Sequence, residues 1–381
     1  MRKWFRLLLL LLLPVITGCW SYQEVDQRLI VAGVAIDYDQ DIREYRLTVE
    51  AVNQAATRGF EGEYFQARGK TVFDAIRNMI KSSDRKLYWS HLTIMVINEQ
   101  IARTGLIPVI DMLFRGYEVR YRPKVLIYQG TSAAEVFAVV PNKAEPILSF
   151  NINLILKGEN TTPLFHQVEL WQFVKAMMAE GIEPTLPLIQ VKKVGQEPKD
   201  TVSGTAVFKH DKMVGTLGAL ETKYFLMVTN QLQGGLLVVN ANPVDQEKIL
   251  VTLEILETET KVQPVYANQK LTMQIKVATV VNIAEIDGVK DIINKNGRMV
   301  FRKIAQEQIK QRVETIIRKV QQEYQSDIFG FGAIVRRKLP KIWQKLRPEW
   351  EAEFSKLKCE VEVELIFRGS ALLMKPIQIV N

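Results

Sequence analysis

The sequence predicts an α+β protein of more than one domain, with mixed sheets, packed helices and a long basic amphipathic helix in its C-terminal half. Three observations carry this. In the first half, β-rich runs alternate with segments of helical spacing. In the second half, apolar residues recur every three or four positions over residues 299–324. The chain has 381 residues, 47% hydrophobic and 24% charged, which fits a folded protein of two or three domains at about 100–200 residues each.

The elements follow in order. Residues 29–37 read as a buried strand, in which Gly33 allows a bulge or a close approach. Residues 45–52 alternate and read as its partner, and residues 61–68 as a weaker third strand. Thr71 with Asp74 has the spacing of an N-cap and an acidic third residue, and Phe73, Ile76 and Ile80 carry that helix to about residue 83. Residues 87–97 are β-rich. A helix over 99–114 follows, bent or divided by Pro108. Residues 125–128 form a strand, and Ser132 with Glu135 caps another helix. Residues 141–163 hold a helix and a loop, and residues 165–178 a helix closed by Gly181 and Pro184. The polar stretch 192–200 reads as the best boundary in the chain. It separates an N-terminal region, 19–197, from a C-terminal one, 201–381.

The C-terminal region opens with a hairpin, Gly204-Thr205-Ala206-Val207-Phe208-Lys209 returning through Met213-Val214-Gly215. A helix is expected over 220–230, and strands over 236–240, 249–256 and 271–281. The long helix carries Phe301, Ala305, Ile309, Val313, Ile316, Val320 and Tyr324 on one face and Arg302, Lys303, Lys310, Arg312, Arg318 and Lys319 on the others. Glu307, Glu314 and Glu323 interrupt that basic surface, so a solvated face is favoured over a site for anionic lipid or a partner. A helical stretch with Trp343 and Trp350 then leads to a last strand over 359–367.

The N-terminus is of another kind. Arg2, Lys3 and Arg6 precede an unbroken leucine run from Leu7 to Leu13, and small residues follow. This is the layout of a secretory signal peptide, over residues 1–18. The apolar part ends at Ile16, short of the about 20 residues that a membrane span needs, which disfavours an uncleaved anchor. Ile16-Thr17-Gly18-Cys19 resembles a bacterial lipobox. That resemblance implies cleavage before Cys19 and lipid attachment to its thiol. Net charge is +8, or about +5 without the three signal charges, and suits a protein beside anionic headgroups as well as one with no specific partner. Nucleic acid is not expected as a partner.

Chemistry is hard to find. His91, His166 and His210 lie on separate elements, and core or surface roles suit each. Cys359 has no second cysteine to pair with if Cys19 is lipidated, and reads as a small buried hydrophobe. No zinc-hydrolase, nucleophile-elbow or phosphate-loop motif occurs. Asp37 and Asp327 are the strongest acidic candidates, and capping or turn roles explain both. No catalytic residue, cofactor or metal is expected, and the protein is read as not an enzyme.

Three separated segments together resemble one family. They are Gly18-Cys19-Trp20 with the Gly33 to Asp37 strand, the Gly204 to Phe208 hairpin with Met213-Val214-Gly215, and Asp327-Ile328-Phe329-Gly330-Phe331-Gly332 through Pro340, Trp343 and Trp350 to Gly369. In order and spacing they resemble the Ger(x)C family, the C subunits of Ger-type spore germinant receptors. The resemblance implies three mixed α/β domains without enzymatic activity, lipid attached at Cys19, and a place on the outer face of the spore inner membrane. It also implies two integral membrane partners, A and B, in nutrient sensing. Asp327–Gly332 and Trp343 are left as either structural or partner-contacting. A solute-binding lipoprotein of a transport system is the alternative, and would need two matching lobes around a cleft.

Overall fold

The computed structural model describes Trp4 and residues 28–55, 59–81, 83, 85–115, 120–241, 249–287 and 295–370. The leucine run, Cys19 and the tether at 21–27 lie outside the described residues.

The described strands gather into two sheets. The first has nine strands, in the order β3-β2-β1-β5-β6-β7-β8-β9, with β4 beside β1. These are β1 (Arg28–Asp39), β2 (Glu44–Ala55), β3 (Gly59–Gly69), β4 (Lys86–Tyr88), β5 (Ile94–Asn98), β6 (Lys124–Tyr128), β7 (Thr185–Val194), β8 (Glu197–Lys209) and β9 (Lys212–Leu217). Strands β1, β5, β6 and β7 run parallel at its centre, with antiparallel strands on both flanks. Parallel strands need helical crossovers, and crossovers cover both faces. One face packs under α1 (Val72–Met79), α2 (Glu99–Thr104), α3 (Ile107–Arg115) and α5 (Leu170–Met178). The other packs under a 3₁₀ turn, Ala133–Phe137, and α4 (Leu148–Lys157). Hence β5 is buried at every residue and β1 nearly so.

The second sheet is β10-β11-β12-β13, formed by Leu236–Asn240, Leu250–Ala267, Lys270–Asp287 and Lys358–Ser370. Strands β11 and β12 make one long hairpin closed by Asn268 and Gln269, both at positive φ. Such a two-residue turn matches the twist of the strands. Strand β13 is parallel to β12, so the chain between them crosses the sheet. The crossing consists of α7 (Lys295–Lys319), a π turn at Val320–Tyr324, α8 (Phe331–Lys338), α9 (Pro340–Leu346) and α10 (Trp350–Lys356). With α6 (Ala219–Val228) these elements and the sheet share one core.

Several expected elements take another form. The boundary stretch 192–200 is itself paired: Lys192 pairs with Lys199, and Gly195 turns a β7–β8 hairpin at φ 67°. The helix expected from residue 165 starts at Leu170, because the preceding residues are drawn into strand-like pairing, with Val125 N donating to Val168 O at 3.0 Å. The 99–114 helix breaks at Gly105 (φ 132°), and Pro108 sits harmlessly in the first turn of α3, where its missing N–H has no intrahelical role. A 3₁₀ turn, Trp89–His91, splits the 87–97 run. The second-sheet strands expected at 249–256 and 271–281 extend to 250–267 and 270–287.

Other expectations hold. Thr71 Oγ accepts from Asp74 N at 3.1 Å. Ser132 and Glu135 form a complete capping box, although the element that they start is 3₁₀. The long helix buries Phe301, Ala305, Ile309, Val313, Ile316 and Val320 and leaves Arg302, Lys303, Arg312 and Arg318 in solvent. Lys310 pairs with Glu314, and Lys319 with Glu221 at 2.8 Å.

Candidate functional site

The motifs singled out in the C-terminal half converge where the two sheets join. Asp327 leads into a turn that starts α8 on Gly330, at φ 70°. Gly330 has no side chain with which to cap, so the exposed amides of the first turn need another acceptor. Asp327 supplies it. Its Oδ1 accepts from Phe331 N at 3.0 Å, and its Oδ2 from Gly332 N at 2.8 Å and from Trp350 Nε1 at 3.1 Å. One carboxylate thus ties the start of α8 to the start of α10. Burial pushes its pKa up to about 7, against the lowering effect of these donors.

The first sheet docks on this turn. Glu183 N donates to Asp327 O at 2.9 Å, Ala333 N to Gly181 O at 2.8 Å, and Ser326 Oγ to Phe208 O at 2.5 Å. Gly181 (φ 77°) lies backbone against backbone on Gly332, so a Cβ on either would overlap the other. Tyr324 covers Gly215 and donates to Thr216 O at 2.7 Å. The 204–208 and 213–215 hairpin and the 327–332 turn, more than a hundred residues apart, are therefore two sides of one seam.

Charged groups close its outer rim. His210 bridges Glu183 and Glu351 at 3.5 and 3.8 Å, Lys209 pairs with Glu351 at 2.5 Å, and Arg347 with Glu180 at 2.9 Å. Burial raises the pKa of Glu183. Beneath them lies a cleft of about 340 Å³ reaching Trp343 and Trp350, whose rings meet edge to face at 5.2 Å. The indole nitrogen of Trp343 is buried without an acceptor. A second cleft, of about 370 Å³, lies across residues 182–183 from the first, and is floored by Phe173, Phe225 and Phe329. His166 lines it, held by Thr185 Oγ1 at 3.0 Å and driven by burial to a pKa of about 4, so the imidazole is neutral.

The remaining residues are dispersed. His91 is exposed, so the three histidines do not meet. Asp37 caps at a distance, accepting from Ala133 N at 2.7 Å and Ser132 Oγ at 2.8 Å. Cys359 is partly buried in β13, where desolvation pushes its thiol up to about 12, the behaviour of a packing residue. Among the described residues no three His, Cys, Asp or Glu side chains form a metal-binding group, and no helix is long and apolar enough to cross a membrane. Cys19 lies outside the described residues.

Nothing in the sequence singles out Glu50. It is fully buried, and accepts from Leu148 N at 2.8 Å, Ser149 N at 2.7 Å, Ser149 Oγ at 2.6 Å and Tyr64 Oη at 3.0 Å. The sequence marks Gly181 only as a helix stop; its contact with Gly332 has no local signature.

Two family models match the chain on either side of the β7–β8 hairpin tip. Residues 21–191 match a spore germination protein N-terminal domain, and residues 203–370 a spore germination B3/GerAC-like C-terminal domain. The spore germination protein KC of Bacillus subtilis (strain 168) is 23% identical, covering 97% of this chain and 96% of its own length. Spore germination protein B3 of the same organism is 24% identical, over 94% and 96%. Spore germination protein GerQC of Bacillus cereus is 21% identical, over 96% and 98%. The crystal structure of the GerBC protein superposes with a TM-score of 0.58 at 20% identity, covering 88% of this chain and 97% of that one, which establishes a shared fold. With both halves matched in order and the fold shared, the chain belongs to the Ger(x)C family of spore germination proteins.

Proposed function

We propose that the protein is a lipid-anchored, non-catalytic subunit of a spore nutrient-germinant receptor, acting with membrane subunits A and B from the outer face of the spore inner membrane. The observation that carries this reading is the match of both halves to spore germination domains, behind a lipobox-like Ile16-Thr17-Gly18-Cys19. Receptor coupling requires no bond making. A subunit whose contacts differ between two states of its partners shifts their equilibrium by that difference alone. The seam suits such a role, because hydrogen bonds and a glycine–glycine contact fix the two sheets to each other, so that a displacement of one is passed to the other. A transporter's solute-binding lobe pair finds no support, since a nine-stranded and a four-stranded sheet are not matching halves.

The test is nutrient-triggered dipicolinate release from spores whose only copy carries Cys19→Ala, beside wild type and a deletion. Loss of response to one nutrient in both mutants, with normal germination by an agent that bypasses receptors, is the expected result. A deletion strain that answers every nutrient normally would count against the receptor role.

A further inference from the structure

The first sheet carries an apolar groove of about 550 Å³, away from the seam. Helices α1 and α3 form its walls, and Leu87 and Trp89 lie at its base. Phe73 and Ile80 stand 47% and 61% exposed on its lip, large apolar side chains left in water while Val72, Ala75 and Met79 of α1 are buried. Cations surround them. The Arg77 guanidinium lies over the Phe73 ring at 4.9 Å, Lys81 follows Ile80, and Arg115 stands at the far wall, paired with Asp111 at 2.6 Å. Long cationic side chains along an apolar strip are the composition of a surface that rests in a bilayer interface, with apolar groups inward and charges at headgroup level.

The position of the groove identifies its occupant. Lys86 and Leu87 line it, and they pair directly with Arg28 and Leu29 at the start of β1. The described chain therefore begins at the edge of the groove. Only eight residues lie between Cys19 and Arg28, so nine chain steps span at most about 32 Å when fully extended. Whatever is held at Cys19 is tethered within that reach of the groove's edge.

We infer that the α1–α3 groove is the face on which the protein lies against the membrane, with Phe73 and Ile80 inserted among lipid chains and Arg77, Lys81 and Arg115 meeting anionic headgroups. This rests on the reading that Cys19 carries lipid. The lipid confines the protein to the surface, and the groove sets its orientation there.

The test uses the full lipidated chain, with Cys359→Ala so that a single introduced thiol can be labelled. An environment-sensitive fluorophore is placed at Ile80→Cys or, on the second sheet, at Tyr266→Cys. The chain is reconstituted on vesicles of phosphatidylglycerol and phosphatidylethanolamine with brominated acyl chains. A blue shift and bromine quenching at position 80, absent at 266 and reduced at 80 when Phe73→Asp is added, are expected. Vesicle-bound protein with the label at 80 still in water overturns the groove while leaving the anchor intact. Equal quenching at 80 and 266 overturns it as well, because no one face is then selected. A label shielded without vesicles, in proportion to protein concentration, assigns the groove to a second copy of the chain instead. Protein that fails to float with vesicles removes the anchoring reading and this inference together.

Discussion

Two helices of this protein start on carboxylates that their own cap residues do not provide. The cap of α4 is Ile147 and that of α8 is Gly330, neither with a side-chain acceptor. Glu50 serves α4 from a strand 98 residues earlier, whereas Asp327 serves α8 from three residues before the cap. Both carboxylates are buried, and both accept two backbone amides and further side-chain donors. They differ in what they join. Glu50 holds a helix onto the face of its own sheet, within one core. Asp327 holds the turn on which the other sheet docks. The same chemistry thus builds a layer in one place and a joint in the other, and removing each should have different consequences.

The largest effect is expected from Glu50→Ala. It leaves the amides of Leu148 and Ser149 and the Tyr64 hydroxyl without an acceptor in a fully buried site, and should cost about 3–5 kcal/mol. Denaturant unfolding measures this directly, and Glu50→Gln, which keeps one acceptor oxygen, should recover part of it. Next comes Asp327→Ala, at about 2–4 kcal/mol by the same reasoning. Its signature is spatial. Hydrogen exchange should accelerate in α8, α10 and the start of β7 and stay unchanged in β1 to β3. Uniform acceleration would mean that the seam is no separate joint. Gly181→Ala should give the same pattern, because its Cβ has no room against Gly332 and its φ of 77° is strained for any L side chain.

Legibility in the sequence divides along the same line. Asp327 was visible as a cap because its partners are local, and the α7 stripe was visible because helical periodicity survives any context. Gly33 proved to be both of its alternatives: the β1–β2 register shifts beside it, and Ser149 fills the space where its Cβ would stand. Glu50 was hidden because it alternates with Leu47, Val49 and Ala51, so a one-sided sheet would turn it to water. This sheet is covered on both faces, and the cover over Glu50 arrives only with α4. Residues 192–200 mark a boundary by composition, but a polar Gly-containing stretch looks the same in a linker and at a hairpin tip; only the pairing of Lys192 with Lys199 distinguishes them. The seam itself was not legible, since nothing local in Gly181, Phe208 or Ser326 points to the 326–333 turn.

The pH dependence of the joint offers a sharper test, with two opposed terms. Asp327 ionises near 3.8 when unfolded and near 7 when folded, so the folded state holds more protons between these values. Its contribution to stability therefore falls as pH rises from about 4 to 7 and is flat above. His166 is the reverse, with about 6.5 unfolded and about 4 folded. Its contribution rises with pH across that window. Relative to wild type, Asp327→Asn should gain stability from pH 4 to 7, and His166→Gln should lose it from pH 4 to 6.5. Each change should be about 3–4 kcal/mol, since a pKa displaced by one pH unit carries about 1.4 kcal/mol. Curves of the same sign would sink the assignment of these two groups. Working with differences from wild type cancels the other buried carboxyls, among them Asp200, also raised to about 7 by burial and then by Glu50.

The smallest effect belongs to the rim. Glu351 is about half exposed and faces both Lys209 and His210, contacts that look like a clamp across the seam. In water such pairs are screened and their long side chains lose freedom on pairing, so Glu351→Gln should cost less than about 1 kcal/mol. That cost should shrink further as salt is raised, because the Debye length falls from about 10 Å at 0.1 M to about 3 Å at 1 M. The contrast with Asp327 is the point of the measurement: both carboxylates span the same seam, but only the buried one is denied water as an alternative partner. If Glu351→Gln instead accelerated exchange in α8 and β7 as strongly as Asp327→Ala, the joint would be held electrostatically from outside, and its coupling should weaken with salt. An effect confined to a few tenths of a kcal/mol would leave the buried turn and the Gly181–Gly332 contact as what holds the sheets together.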